Sequence, residues 1–149
     1  MLYLETNIFI YAVEGTIETS GPAKRLMTAL RTRPGIAVTS ELTLAEVLAP
    51  TTRPDAPAPE VKRRAYLDLL VGSAFIELAA VTRAILLDTV DLRSAVTMKL
   101  ADAIHLASAI HLGCRYFVSN DRDFRRLPGP ISWVMPDEDG IARILRELA

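Results

Sequence analysis

Two adjoining stretches decide the fold: Leu100-Ala-Asp-Ala-Ile-His-Leu-Ala-Ser-Ala-Ile-His-Leu-Gly113, and Arg115-Tyr-Phe-Val-Ser-Asn-Asp121 directly after it. The first predicts a helix, because its apolar residues recur at helical spacing and Gly113 is a natural left-handed stop. The second predicts a strand that runs into a polar end. Asp102 therefore lies near the start of an almost wholly apolar helix, and Asp121 closes a buried strand.

A carboxylate on such a helix is costly to bury unless something compensates its charge. The usual compensations are a basic partner, a helix N-terminus or a metal ion. An acid in an early turn is favoured by the helix dipole. For Asp102 taken alone, that reading and a ligand role are both open.

Composition predicts one folded domain over residues 1–149. Half of the 149 residues are hydrophobic, which is enough to bury a substantial core. No apolar run approaches the roughly 18 residues needed to cross a bilayer, and the N-terminus has no signal-peptide pattern. The single cysteine, Cys114, suits a reducing compartment. We therefore expect a cytoplasmic protein.

The net charge of −1 does not indicate a nucleic-acid partner. Any such binding would be local, and Arg122, Arg125 and Arg126 beside Asp121 are the candidate RNA-binding group. A solvated surface is the more common reason for basic residues of this kind.

Strands and helices alternate along the chain. The predicted strands are Met1–Leu4, Ile36–Ser40, Phe75–Ala79, Tyr116–Val118 and Ile131–Met135. The predicted helices are Ser20–Leu30, Glu41–Leu48, Glu60–Val71, one that starts at Thr82, the helix from Leu100, and Glu138–Leu148. This alternation predicts an α/β protein, a three-layer α/β/α sandwich with a central, mostly parallel sheet. No Gly-rich phosphate loop occurs in the sequence.

Polar clusters follow three of the predicted strands: Glu5-Thr6-Asn7, Thr39-Ser40, and Ser119 to Asp123. Because the carboxyl ends of parallel strands lie at one edge, these clusters should meet there. The acids that this arrangement brings towards one cleft are Glu5, Glu46, Asp102 and Asp121, with Asp123 as a fifth candidate.

Clustered carboxylates repel one another unless they are protonated or neutralised. A hard divalent cation neutralises them best, because oxygen ligands suit Mg²⁺ or Mn²⁺. No Cys/His cluster favours zinc. His105 follows Asp102 by three residues, and we interpret it as a packing or hydrogen-bonding residue rather than a ligand. A metal held by acids without a nucleotide cradle is typical of phosphodiester hydrolysis, in which no side-chain nucleophile is needed.

Four motifs follow one another along the chain: Tyr3-Leu-Glu-Thr-Asn-Ile-Phe-Ile-Tyr11, Thr39-Ser-Glu-Leu-Thr-Leu-Ala-Glu-Val47, Leu100-Ala-Asp-Ala-Ile-His-Leu-Ala-Ser108 and Phe117-Val-Ser-Asn-Asp-Arg-Asp-Phe124. In these motifs the sequence resembles the PIN-domain family, specifically the VapC-type ribonuclease toxins of VapBC toxin–antitoxin systems. The resemblance spans nearly the whole chain. It implies an endoribonuclease that depends on Mg²⁺ or Mn²⁺, acts on tRNA or ribosomal RNA, is blocked by a VapB-type antitoxin and forms a homodimer.

The resemblance also implies roles for individual residues. The implied catalytic acids are Glu5, Glu46, Asp102 and Asp121. The implied metal ligands are Glu5, Asp102, Asp121 and Asp123, with Glu46 binding directly or through water. The implied supporting groups, which hold the carboxylates and metal-bound waters, are Thr6, Asn7, Ser40 and Ser119.

The sequence departs from the family at Glu5, where the first acid is normally aspartate. The extra methylene displaces the carboxylate oxygens, and Mg²⁺ tolerates such error poorly. Three outcomes stay open: an adapted site, a preference for Mn²⁺, or a weakened enzyme. The alternative function is therefore a catalytically weakened PIN protein that acts by binding RNA or a partner. A phosphatase with an aspartyl nucleophile fits poorly, because Glu5 occupies that position.

Overall fold

The computed structural model describes residues 1–127 and 129–148. Within these residues, the central sheet has five parallel strands in the order β3-β2-β1-β4-β5. The strands are β1 (Leu2–Leu4), β2 (Ala37–Ser40), β3 (Ile76–Ala79), β4 (Tyr116–Val118) and β5 (Ser132–Val134). From β1 the chain builds outward through β2 and β3, and then crosses to β4 on the other side of β1. The strand order therefore reverses between β1 and β4, which is where open α/β sheets bind their ligands.

Helices cover both faces of this sheet. They are α1 (Thr6–Glu14), α2 (Ile17–Arg31), α3 (Leu42–Val47), α4 (Pro59–Leu67), α5 (Arg83–Ala95), α6 (Leu100–His111) and α7 (Glu138–Leu148). A π-helical turn, Asp68–Gly72, extends α4, and a short 3-10 helix, Arg122–Arg126, follows β4. The predicted α/β fold with a parallel sheet is confirmed.

Strand side chains alternate between two cores, as the pleat of a β-strand requires. Leu2 and Leu4 of β1 enter the core that α1, α2 and α7 cover, whereas Tyr3 enters the core beneath α6. Phe117 of β4 pairs in register with Tyr3 and lies in the same core. Because both faces are buried, the strands carry apolar residues at nearly every position.

Some helix ends differ from those predicted. Ser20 and Pro22 lie inside α2, which begins at Ile17 because the Ser20 N–H already donates to the Thr16 carbonyl at 2.8 Å. The predicted helix to Val71 is an α-helix only as far as Leu67. The apolar run after Asn7, to which no element was assigned, forms α1. None of the helices in the described part of the chain has the length and apolar character to span a membrane.

Candidate active site

Glu5 links β1 to α1 at the carboxyl edge of the sheet. Its backbone N–H donates to the Val118 carbonyl at 3.0 Å, which continues the pairing of β1 with β4. Its side chain accepts the backbone N–H of Asn7 at 3.4 Å and so caps α1, where the helix dipole favours a negative charge. Glu5 is nevertheless only 9% exposed. Burial raises the pKa of this carboxyl group, against the influence of His105 and of the Asn7 hydrogen bond.

Ser119 ties the ends of β1 and β4 together. Its hydroxyl donates to Glu5 Oε2 at 3.2 Å. Ser119 Oγ also accepts hydrogen bonds from the Asp121 N–H at 3.0 Å and from the Asn7 side-chain amide at 3.4 Å. The Asn7 carbonyl oxygen in turn accepts the Asn120 N–H at 3.3 Å. The polar residues that follow the two strands thus form one hydrogen-bonded unit.

Glu46 reaches the same edge from α3. Its Oε2 accepts hydrogen bonds from Thr6 Oγ1 and from His105 Nε2, the latter at 2.7 Å. Burial disfavours the ionised form of Glu46, but the hydrogen bonds from His105 and Thr6 outweigh it and lower the pKa of Glu46. Glu46 is therefore held as a carboxylate.

Glu5, Glu46 and His105 form the inner cluster of the site. Each offers one potential ligand atom, and these atoms lie within 4.8 Å of one another. Two acids so close repel each other, and the Glu46 charge indeed contributes to raising the pKa of Glu5.

Asp102, Asp121 and Asp123 form the outer group. Asp102 lies in the first turn of α6, where burial and then the nearby Asp121 charge raise its pKa, against Lys99. Asp121 caps the short 3-10 helix by accepting the Asp123 N–H at 2.8 Å. Asp102 and Asp123 line one cavity of about 350 Å³. Glu46 and His105 also influence the pKa of Asp102, so the outer group and the inner cluster share one electrostatic region.

The supporting residues expected from the sequence occupy different places. Thr6, Asn7 and Ser119 all contact the inner cluster directly. The Ser40 hydroxyl instead accepts the Leu42 N–H at 3.1 Å, so that it caps the helix that carries Glu46. Ser40 therefore acts on Glu46 through the start of α3.

Two residues that the sequence did not single out complete this region. The Tyr3 hydroxyl lies 2.8 Å from His105 Nδ1, and burial raises the pKa of Tyr3, which keeps the phenol protonated. Thr43 lies between Thr39, at 2.8 Å, and Thr6, at 3.2 Å. Thr43 could have been found, because it precedes Glu46 by three residues and so shares its helix face. Nothing in the sequence pairs Tyr3 with His105.

The basic residues Arg122, Arg125 and Arg126 are exposed on the 3-10 helix beside the outer group. The Arg125 guanidinium lies over the Trp133 ring, 5.7 Å from its centroid. The Trp133 indole N–H donates to the Ser119 carbonyl at 2.9 Å. Arg125 therefore packs on a ring that is itself anchored to the end of β4.

The fold and the site define an open, parallel α/β protein with an acidic cluster where its strand order reverses. The sequence pattern of the PIN domain matches residues 2–130, and the chain belongs to the PIN domain family. The resemblance that the motifs predicted is thereby confirmed at the level of the family.

Solved structures with this fold include proteins of toxin–antitoxin systems. A toxin–antitoxin complex from Klebsiella pneumoniae is 24% identical with a TM-score of 0.66, over 93% of this chain and 99% of that one. VapBC2 from Rickettsia felis, bound to a DNA fragment from its promoter, is 18% identical with a TM-score of 0.66, over 91% and 98%. The sarcin-ricin loop cleaving toxin VapC20 of Mycobacterium tuberculosis is 19% identical with a TM-score of 0.63, over 83% and 92%. No curated protein sequence matches the chain.

Proposed function

We propose that the protein is an endoribonuclease that depends on Mg²⁺ or Mn²⁺ and acts as the toxin of a type II toxin–antitoxin pair. The observation that carries this proposal is the gathering of carboxylates at the switch point of the sheet. Glu5 and Glu46 lie within 4.8 Å of each other there, and Asp102 and Asp121 repel each other beside them. A bound cation would relieve the repulsion within such a concentration of negative charge.

The donor set fits a hard divalent cation. Carboxylate oxygens dominate it, and these are the ligands that Mg²⁺ and Mn²⁺ prefer. We assign Glu5, Asp102, Asp121 and Asp123 as ligands, and Glu46 as a catalytic acid that binds the ion directly or through water. The raised pKa values of Glu5 and Asp102 support this assignment. Burial is the main cause and the neighbouring acids add to it, and a bound cation would offset both effects on the ionised forms.

A bound cation would lower the pKa of a water molecule and would offset negative charge on the attacked phosphate. The residues of the chain do the rest. Glu46, with its lowered pKa, stays ionised at neutral pH and can accept a hydrogen bond from the attacking water. Ser119, Thr6 and Asn7 hold the acids in place. Arg122, Arg125 and Arg126 are assigned to the RNA phosphates, which guanidinium groups bind well.

The family and the similar structures support a proposal for the biological setting. VapC20 is described as a sarcin-ricin loop cleaving toxin, and the Klebsiella structure as a toxin–antitoxin complex. For this chain we accordingly propose a tRNA or ribosomal RNA substrate, a VapB-type antitoxin, a homodimer and a cytoplasmic location, with residues 1–149 acting as a single PIN domain. Exposed apolar residues on α5 and α6 favour self-association: Leu86, Leu87, Val90, Leu100 and Ile110.

The test is cleavage of a panel of tRNA and ribosomal RNA fragments by the purified chain. We expect cleavage in Mg²⁺ or Mn²⁺ and its complete loss in EDTA. Equal cleavage with and without EDTA would contradict the metal-dependent mechanism.

The second candidate is a catalytically weakened PIN protein that acts by binding RNA or a partner. The specific observation behind it is Glu5, whose long side chain reaches Ser119 and the Asn7 N–H through hydrogen bonds of 3.2 and 3.4 Å. Retention of an RNA in a filter-binding assay without cleavage in either metal would favour this candidate over the enzyme.

A further inference from the structure

We propose that His105 is a positioning residue for Glu46. We also propose that Tyr3 fixes the His105 tautomer that donates to Glu46. In this proposal, His105 holds Glu46 Oε2 through a hydrogen bond and does not itself bind the metal. The inference rests on the proposed metal-dependent function, because it concerns how one acid of that site is oriented.

The position of His105 is fixed from all sides. Its side chain is completely buried, as is that of Tyr3. The two rings meet edge to face, with centroids 5.9 Å apart, and Phe117 stacks on the other side of Tyr3 at 5.2 Å. Both imidazole nitrogens have partners at short distance, since Nδ1 lies 2.8 Å from the Tyr3 hydroxyl and Nε2 lies 2.7 Å from Glu46 Oε2. The ring therefore cannot rotate without breaking both contacts.

The direction of these hydrogen bonds follows from their chemistry. An ionised carboxylate can only accept, so the proton between His105 and Glu46 belongs to Nε2. In the neutral imidazole the other nitrogen is then an acceptor, and the Tyr3 hydroxyl must donate to it. If Nε2 were a metal ligand, it would lose this proton, and with it the hydrogen bond to Glu46.

Glu46 Oε2 accepts from two series of hydrogen bonds. The first runs from Tyr3 through His105, and the second runs from Thr39 through Thr43 and Thr6. Thr6 donates to Glu46 Oε2, so its single proton is used and its oxygen accepts from Thr43. Thr43 likewise has one proton, so it accepts from Thr39 at 2.8 Å. All three hydroxyl protons thus point towards Glu46.

The two series of hydrogen bonds select one oxygen of the carboxylate. Among the hydrogen bonds of residues 1–127 and 129–148, none ends on Glu46 Oε1. Holding Oε2 in two places fixes the plane of the carboxylate and leaves Oε1 to bind the metal or a water. Residues that orient a metal-binding side chain in this way typically change metal affinity or activity by about 10- to 100-fold when they are removed.

The first experiment reads the tautomer in the metal-free protein. We expect ¹⁵N NMR of the imidazole to show His105 protonated at Nε2 and unprotonated at Nδ1. The same pattern should persist when Mg²⁺ is added. An unprotonated Nε2, or loss of its proton on adding Mg²⁺, would overturn the proposal and make His105 a ligand.

The second experiment measures Mn²⁺ binding by electron paramagnetic resonance in three variants. His105→Leu removes the donor, and we expect roughly 10- to 100-fold weaker binding together with a lower kcat and an unchanged KM for RNA. His105→Gln retains an N–H donor and should recover part of the loss. Tyr3→Phe removes one hydroxyl from an otherwise unchanged core, and should give a smaller loss together with an increased population of the Nδ1-protonated tautomer.

Matched controls separate positioning from general damage to the fold. Tyr116→Phe removes a hydroxyl that bonds Glu147 outside the site, and His111→Gln changes an exposed histidine. Both should bind Mn²⁺ like the wild type. Unchanged Mn²⁺ affinity in folded Tyr3→Phe and His105→Leu would refute the positioning role. Failure of the wild type itself to bind Mn²⁺ would refute the proposed function instead, whereas the tautomer measurement would still test the contact with Glu46.

Discussion

The inner cluster and the outer group are made of the same kind of residue but are stabilised differently. In the inner cluster, hydrogen bonds from Ser119 and the Asn7 N–H reach Glu5, and those from Thr6 and His105 reach Glu46. In the outer group, burial and the nearby Asp121 charge raise the pKa of Asp102, and Lys99 is the charge that opposes this most strongly. The protein thus gives the inner carboxylates more hydrogen-bond donors than it gives the outer ones.

This difference in hydrogen bonding predicts different roles for the inner cluster and the outer group. The inner cluster is part of the packed structure, so changes there should alter stability as well as activity. The outer group is close to solvent and electrostatically strained, so changes there should alter activity without loss of stability. Each of the following predictions tests one side of this contrast.

Asp102→Asn should have the largest effect. It removes a proposed ligand, and because metal ions contribute several kcal/mol to such reactions, we expect cleavage to fall by about a hundredfold or more. The metal-free variant should be as stable as the wild type or more so, because one repelling charge is gone. Asp88→Asn, which changes an exposed acid on α5 paired with His111, is the matched control. Cleavage by Asp102→Asn at the wild-type rate would remove Asp102 from the site.

Metal should stabilise the folded protein. If Mg²⁺ or Mn²⁺ binds only the folded state, the free energy of unfolding should rise by about 2.7 kcal/mol at a concentration one hundred times Kd. A thermal melt at increasing metal concentration measures this, and Asp102→Asn should show a much smaller rise. A flat response of the wild type up to millimolar metal would contradict a site that couples the outer group to the inner cluster.

Thr43→Val should affect stability through the inner cluster alone. Valine has nearly the same shape but breaks the hydrogen bonds to Thr39 and Thr6 in a fully buried position. We expect a loss of about 1–3 kcal/mol in urea unfolding. The exposed Thr32, whose hydroxyl donates to the Ala29 carbonyl, offers Thr32→Val as a control with an effect within about 0.5 kcal/mol. Equal stability of the two variants would show that the hydroxyl chain does not support the cluster.

Glu5→Asp tests whether the longer acid is accommodated. The long 3.4 Å hydrogen bond from the Asn7 N–H suggests that a shorter side chain, a better helix cap, would fit at least as well. We expect the variant to cleave RNA faster in Mg²⁺ and to gain less in Mn²⁺, because Mg²⁺ is stricter about ligand geometry. Titration of both metals against one RNA measures this. Equal or lower activity in Mg²⁺ would mean that the site is built around glutamate.

The pH dependence of stability should have one sign for Asp102 and Glu5, whose pKa values are raised, and the opposite sign for Glu46, whose pKa is lowered. Asp102 and Glu5 have pKa values raised above their ordinary 3.8 and 4.5, so their protonated forms favour folding and stability falls as pH rises through those values towards the raised ones. Glu46 has a lowered pKa, so its contribution is present above 4.5 and is lost as pH falls through the lowered value.

Urea unfolding of the metal-free protein between pH 3 and 7 checks this. Asp102→Asn should reduce the loss of stability on the alkaline side, and Glu46→Gln should reduce the loss on the acid side. The same pH profile in both variants and the wild type would contradict the contrast between the acids.

Much of the architecture was determined by the sequence. Local patterns predicted every strand to within two residues, placed Asp102 in the first turn of α6, and put Glu5 and Ser119 at strand ends. These features depend on the period of the apolar residues and on turn chemistry, which act over a few residues. The start of α2 was predicted wrongly. Ser20 and Pro22 are typical of a helix start, but the helix has already begun one turn earlier, at Ile17.

Only the tertiary structure decided how the polar residues are divided. The placement of β1 between β2 and β4 brings Glu5 to Ser119, and the packing of α6 on β1 brings His105 to Tyr3, 102 residues away along the chain. A periodic pattern states which face of an element is buried, but it does not state which distant side chain lies opposite. Which side chains meet depends on strand order and on close packing between remote segments. The sequence could therefore predict which acids share an edge of the sheet, but not which of them would receive hydrogen bonds from the rest of the protein.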